Sequence, residues 1–296
     1  MSTALAKRSV GDWIFTGANT TVLVILSLVT LYPILHVIFG SISDPIKLIQ
    51  HRGLLLGPVG FGLEAYREVW RNPTIGSGYL NTLFVVAVGT ALNIVMSLLG
   101  AYFLSCKRVM FKGPILALIV FTMFFSGGLV PRYLAVRSVG LYNSLFALII
   151  PVAINTYNML ILRTAIQGVP DSLSESAAMD GATHAQILFR VMTPLVTPTL
   201  AVLVLYYGVD HWNSWFDAMI FLQKRERFPL QLILREILIL GDTESMTVNV
   251  QAEERLWLSE TIKYATIVVA TVPILILYPS LQRYFVRGIM LGAIKG

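Results

Sequence analysis

Six long apolar runs, each parted from the next by a polar stretch, constrain this chain more than any other feature. They fall near residues 18–39, 80–105, 114–130, 144–162, 197–222 and 262–281. A helix that crosses a bilayer needs about 20 mostly apolar residues. Within hydrocarbon a lone segment satisfies its backbone only by coiling into a helix. The expected fold is therefore an all-α integral membrane protein with six transmembrane helices. Composition agrees, because only 13% of the residues are charged and 56% are hydrophobic, whereas a soluble domain is about a quarter charged. The first run is long enough to remain as a span rather than be removed as a signal peptide.

The polar stretches carry further expectations. Residues 41–78 contain an amphipathic segment near 63–70, whose Tyr66 and Trp70 suit a membrane interface. Residues 131–142 read as a loop. Residues 230–240 have apolar spacing that fits an amphipathic helix. Tyr32-Pro33 lies inside the first span, where a kink is tolerated if neighbouring helices satisfy the freed carbonyl. The net charge of +6 is spread thinly among apolar runs, which suits lipid headgroups rather than nucleic acid. A single cysteine, Cys106, excludes an internal disulfide and a cysteine zinc cluster. Its neighbour Lys107 could lower the thiol pKa, but an inert thiol is the default. Six spans place both termini on one side. The short segments 106–113 and 282–296 hold six Lys/Arg and no acid, which puts the termini inside by the positive-inside rule.

No phosphate-binding G-x-x-x-x-G-K-[ST] occurs, nor H-E-x-x-H, and the four histidines are scattered. Any energy source is thus an ion gradient or a partner subunit. Two stretches invite a functional reading. The first is the polar segment 170–194, on the inner side. Ser172 followed by Glu175 has capping-box spacing, Gly181 suits a left-handed helix end, and a second helical stretch covers 183–192 before Pro194 and Pro198. By these signals alone it is a short, well-capped interfacial helix pair. The second is Asp210-His211-Trp212-Asn213-Ser214-Trp215-Phe216-Asp217, unusually polar for a span. At helical spacing Asp210, Asn213 and Asp217 share one side, as do His211 and Trp215. Ionisable groups at depth normally face a cavity or the bundle interior, and aromatics beside amides and carboxylates suit sugars. An interfacial tryptophan belt with interhelical hydrogen bonds explains the same residues equally well. The two carboxylates would repel an acidic sugar unless they are paired internally. Arg132, Arg137, Lys224, Arg225 and Arg227 fall on the outer face, where they are headgroup-facing cations or a dock for an acidic partner or substrate.

Glu175-Ser176-Ala177, then Gly181, Val191 and Pro194, resembles the "EAA" signature of bacterial ABC importer permeases. That pattern runs E-A-A, three residues, G, nine residues, I-x-L-P. Ser176, Val191 and Thr193 depart from it mildly, and Asp180-Gly181-Ala182 matches. Asn81-Thr82, Ala101–Ser105, Trp212-Asn213 and the tail Phe285-Val286-Arg287-Gly288 extend the resemblance over most of the chain, although Cys106 stands where Arg is common. Residues 124–141 and 212–238 look like the carbohydrate subgroup that takes up oligo- and polysaccharides, alginate importers included.

The resemblance implies a type I importer permease fold, non-catalytic and without its own cofactor. It implies a second homologous permease, an ATPase dimer carrying ATP and magnesium, an extracytoplasmic solute-binding protein and a saccharide substrate, in the cytoplasmic membrane of a bacterium. Residues 1–79 would form the tail, first span and outer loop, 80–284 the five-span core, and 285–296 a cytoplasmic tail at the ATPase interface. Segment 170–194 would couple to the ATPase through Leu173, Glu175, Ser176, Ala177, Ala178, Met179, Asp180 and Gly181. Asp210, His211, Trp212, Asn213, Trp215 and Asp217 would line the substrate path. A different class, an ion-gradient carrier using Asp210 and Asp217, leaves the segment 170–194 unexplained.

Overall fold

The computed structural model describes residues 10–107, 109–239 and 258–276. Every regular element among them is helical. Helix α1 (Val10–Ser41) is followed by α2 (Pro45–Gln50) and α3 (Glu64–Arg71), then α4 (Pro73–Ser105), α5 (Lys112–Phe124) and α6 (Leu129–Ser138). Two 3₁₀ turns, Leu145–Leu148 and Ile150–Val152, lead into α7 (Thr156–Gln167) and α8 (Asp171–Met179). Next come α9 (His184–Gln186), a π-helical stretch Ile187–Met192 and α10 (Thr193–Leu195). Then follow α11 (Thr197–Trp212), α12 (Phe216–Phe221), α13 (Leu230–Ile239) and α14 (Leu258–Ile276). Of these, α1, α4 and α14 are each long and apolar enough to cross a membrane. Three bent pairs, each taken as one span, bring the number to six.

The bends correct the expected spans. The third run does not continue as one helix to residue 130. It stops at Phe124, breaks over residues 125–128 and resumes as α6 at 113° to α5. Gly127-Gly128 offers no side chain to hold a helix, and Gly128 caps α6 with φ +84°. Residues 131–142 are accordingly largely helix, not loop. The fourth run enters as 3₁₀ turns around Pro151 and bends by 49° into α7. The fifth run ends at Trp212, breaks at Asn213–Trp215 and restarts as the short α12. By contrast α4 begins seven residues before the expected start at Leu80, because Asn72 caps it: Oδ1 accepts from Thr74 N at 2.9 Å, with Pro73 in the first turn. The predicted amphipathic helices near 63–70 and 230–240 are α3 and α13.

The described residues fall into two compact units. One gathers those of Met1–Arg71 and Thr243–Val269, the other those of Asn72–Asp242 and Ala270–Gly296. In the first, α1 holds Pro33 inside an unbroken helix. His36 Nε2 lies 3.4 Å from Tyr264 Oη, and the two rings meet edge to face.

In the second unit α4 is the axis. At about 1.5 Å per residue its 33 residues span about 50 Å. Its Leu98, Ala101 and Leu104 pack with Met159, Leu162 and Ile166 of α7 and with Leu203 and Tyr207 of α11. Small residues let these helices approach closely, as membrane helix contacts require. Ser97 Oγ and Tyr207 Oη share a buried hydrogen bond of 2.7 Å. At the N-terminal end of α4, Asn81 Nδ2 donates to Glu226 O (2.8 Å) and Phe228 O (3.1 Å). There Thr82 Oγ1 also accepts from Leu230 N at 2.9 Å, which fixes the start of α13. The expected tail 285–296 and the end of the sixth span lie outside the described residues.

Candidate functional site

At the C-terminal end of α4, α8 stands out from the bundle. It begins at Asp171 after Pro170, with no side-chain cap. The expected Ser172–Glu175 capping box is therefore not formed, because a helix starting at Asp171 already contains Ser172. Asp171 supplies the favourable negative charge of the first turn and takes a 2.5 Å ion pair from Lys107, just beyond α4. That hydrogen bond, and then the charges of Asp171 and Glu175, hold the Lys107 amine above its ordinary 10.5. The capping box exists one helix later. Thr183 Oγ1 accepts from Gln186 N (3.3 Å), and Gln186 Oε1 accepts from Thr183 N (2.8 Å).

Gly181 ends α8 as expected. Its φ is +79°, a value that an L side chain resists. Ala182 N donates to Ala177 O (3.0 Å) and Gly181 N to Ala178 O (3.1 Å), which is a Schellman closure. Leu173, Glu175, Ser176, Ala178, Met179, Asp180 and Gly181 are exposed, with Met179 at 89%. Ala177 instead turns inward and packs with Ala182 on the core around α4 and α7. Tyr102 Oη meets His184 Nδ1 at 3.1 Å. The loop is thus tied to α4 at two points.

The polar residues of the fifth run gather differently from their expected helical face. The helix breaks after Trp212, and Asp210, His211, Asn213, Trp215 and Asp217 line one cavity of about 410 Å³. Asn93 of α4, Asn155, Tyr207 and Phe216 are also part of its wall. Trp212 is absent from that wall. It is buried, donates through Nε1 to Ala270 O at 3.3 Å, and lines a larger apolar groove of about 1200 Å³ with Thr90, Ile94 and Tyr206. Asp210 and Asn155 border both spaces.

Two interactions set the chemistry of the smaller cavity. Asn93 Nδ2 donates to Val152 O at 2.6 Å, so its Oδ1 is an acceptor and receives Nε2–H of buried His211 at 2.7 Å. This fixes the histidine tautomer and joins α4, the 3₁₀ turn before α7 and α11 at one point. Gly89 makes room for the ring: a Cβ there would lie 2.5 Å from His211 Nε2. The second interaction is Arg132 Nη2 on Asp217 Oδ2 at 2.6 Å, half-buried, with the guanidinium also 5.6 Å from the Phe221 ring centroid. Of the two carboxylates, Asp217 is therefore neutralised, and Asp210 stays exposed on the cavity wall.

The sequence reading missed Asn93, Asn155 and Arg235. Asn93 is a lone amide in an apolar run, and that was its only signal. Among the outer cations, Arg225 pairs with Glu236 at 3.4 Å and Arg227 donates to Asn143 O. Three of the five expected free cations, Arg132 included, are therefore engaged within the chain. No group of three or more His, Cys, Asp or Glu with metal-site geometry occurs among the described residues.

No protein-family model matches the chain. It is 38% identical over 279 residues to the polygalacturonan/rhamnogalacturonan transport system permease protein YtcP of Bacillus subtilis (strain 168), covering 93% of this chain and 96% of that one. Among solved structures it resembles a chain of a bacterial ABC transporter involved in the import of the acidic polysaccharide alginate, with TM-score 0.86 and 33% identity. That match covers 94% of this chain and 99% of the other. A bacterial alginate ABC transporter in complex with an alginate pentasaccharide-bound periplasmic protein shares the fold at TM-score 0.55 and 18% identity, over 92% and 95% of the two chains.

Proposed function

This chain belongs to the permease subunits of carbohydrate ABC importers, multi-pass and non-catalytic, and from that membership we propose that it carries an acidic oligo- or polysaccharide inward. It does so with a second, homologous permease. The acidic class is suggested by the uronate polymers named for its relatives. An extracytoplasmic binding protein delivers the saccharide. Two ATPase subunits hold ATP and magnesium, and this chain holds no cofactor. The termini and the 170–194 loop face the cytoplasm of a bacterium, and the chain sits in its inner membrane.

The observation that carries this reading is the placement of two features along one helix. At its C-terminal end α4 is bound to the loop through Lys107–Asp171 and Tyr102–His184. Twelve residues earlier Asn93 holds His211 at the polar cavity. A helix moves as a rigid body, so a displacement of α8 by a closing ATPase tilts α4 and shifts that cavity wall. Exposed Leu173 and Met179 offer the ATPase an apolar knob, beside the small Ala178. In the cavity, Trp215 offers an apolar face and Asn213 and Asn155 offer hydrogen-bond partners to hydroxyls, while the exposed Asp210 carboxylate repels a sugar acid and so requires the anionic group to lie away from it. A gradient-driven carrier has less support, since one of its two carboxylates is held by Arg132.

The test is the complete importer reconstituted in proteoliposomes with its binding protein. Ala178→Glu places a charge on the exposed side of α8 and should abolish saccharide-stimulated ATP hydrolysis while the subunits still fold. Full stimulation in that variant would overturn the assignment of the loop. Uptake abolished by a protonophore and indifferent to ATPase inhibition would favour the carrier.

A further inference from the structure

Helix α13 is amphipathic, and its buried side is fixed by α4. Leu230, Ile233 and Ile237 are each about 1% exposed or less, and Leu230 N is held by Thr82. Arg235 lies two residues beyond Ile233, about 200° further round the helix, and is only half-buried. Its guanidinium sits over the indole of Trp215, 4.6 Å from the ring centroid, and Nη1 lies 3.3 Å from Met219 Sδ. A ring and a thioether orient a guanidinium without neutralising it. Its neighbours at this end of the fold are engaged by acids or carbonyls: Arg132 by Asp217, Arg225 by Glu236 and Arg227 by Asn143 O. Trp215, 37% exposed, lines the polar cavity, and Arg235, which does not itself line that cavity, lies against its ring.

We infer that Arg235 and Trp215 form an acid-sugar subsite at the rim of the cavity, with Arg235 the residue that favours carboxylated over neutral saccharides. This rests on the permease reading above. A pyranose ring carrying a carboxylate presents an apolar C–H face and a planar anion. The guanidinium already covers part of the indole, so the sugar's C–H face packs on the ring surface left exposed, and the guanidinium fork takes the two carboxylate oxygens with paired N–H donors. Asp210 and Asn213, further along the wall, accept from or donate to the hydroxyls. The aromatic contact keeps Arg235 in place before substrate arrives, so little side-chain freedom is lost on binding.

The experiment measures uptake of pentagalacturonate by the whole importer in proteoliposomes, with its binding protein, as a function of substrate and salt concentration. Arg235→Gln should raise the KM about tenfold, a loss at the low end for a charge-assisted contact, and should flatten the salt dependence of uptake. Arg235→Lys, which keeps the charge but not the fork, should stay within about threefold. A KM for Arg235→Gln within twofold of wild type overturns the subsite. So does an Arg235→Lys as damaging as Arg235→Gln with salt dependence unchanged, because that pattern is loss of packing against Trp215. Absence of saccharide uptake by the wild-type complex refutes the permease reading instead, so the two failures are distinct.

Discussion

Gly89→Ala tests a close approach of α4 and α11. The added Cβ would lie 2.5, 2.7 and 3.0 Å from Nε2, Cε1 and Cδ2 of His211. Carbon contacts sit near 3.5–4.0 Å, so the ring must retreat by about 1 Å. It is not free to do so, because Nε2–H is bonded to Asn93 Oδ1 at 2.7 Å and the residue is only 5% exposed. Retreat stretches that bond past hydrogen-bonding range and leaves a buried donor and acceptor unpaired, at about 1–3 kcal/mol. Overpacking adds about 1–3 kcal/mol, and the better helix propensity of alanine returns up to about 1 kcal/mol. The net expectation is a loss of about 1–5 kcal/mol. Interhelical hydrogen bonds in membrane proteins have averaged about 0.6 kcal/mol, so the lower bound is about 0.6 kcal/mol. The assay is equilibrium unfolding in mixed micelles for Gly89→Ala, His211→Ala and the double variant. With the ring removed the clash is gone, so the double variant should be no less stable than His211→Ala alone. A neutral Gly89→Ala, or a double variant equal to the sum of the two singles, would refute the reasoning.

Other outcomes follow from the same geometry. Gly181→Val puts a β-branched residue at φ +79° with no atom within 4 Å of its Cβ, so the cost is backbone strain of about 1–3 kcal/mol, seen as faster proteolysis of the 170–194 loop. Thr183→Ala removes the capping box and should cost about 1 kcal/mol, measured by chemical unfolding, whereas Ser172→Ala, which caps nothing, should be neutral. Asn81→Ala frees the carbonyls of Glu226 and Phe228 and should cost about 1–2 kcal/mol, with increased hydrogen exchange at the start of α13. Lys107→Ala should leave the melting temperature unchanged, because the Asp171 pair is exposed. Its amine is raised above 10.5, so the pair's contribution is fully present below that value and is lost only as pH rises through the raised one. No pH dependence from it is expected between pH 6 and 9.

Much of the fold was written in the order of the residues. Apolar run length alone forces helices across a bilayer, because no water reaches the backbone there. Amphipathic apolar spacing between the runs placed α3 and α13, and Gly181 marked the end of α8 because its φ leaves few alternatives. What the sequence could not decide was where a run bends. Residues 114–130 look continuous in hydropathy, and in 197–222 the polar stretch 210–217 is as compatible with one polar helical face as with a break. Whether Gly127-Gly128 or Asn213-Ser214 breaks the helix depends on which neighbours stand ready to satisfy the freed backbone. For that reason the helical face drawn through Asp210, Asn213 and Asp217 was replaced by a pocket made from the break itself.

Partnership is the other matter that only tertiary structure settled. Run order named Asp217, His211 and the outer arginines. It could not say that Asp217 takes Arg132, 85 residues away, that His211 takes Asn93, 118 residues away, or that Arg235 lies against Trp215. Hydrophobicity is a property each residue carries alone and is legible one residue at a time. A hydrogen bond or an ion pair is a property of two residues and a distance. The sequence by itself therefore determined that this chain is a bundle of membrane helices with a capped loop between spans. The packing of α4 against α7 and α11 decided which of its polar groups cancel one another and which remain to meet a substrate.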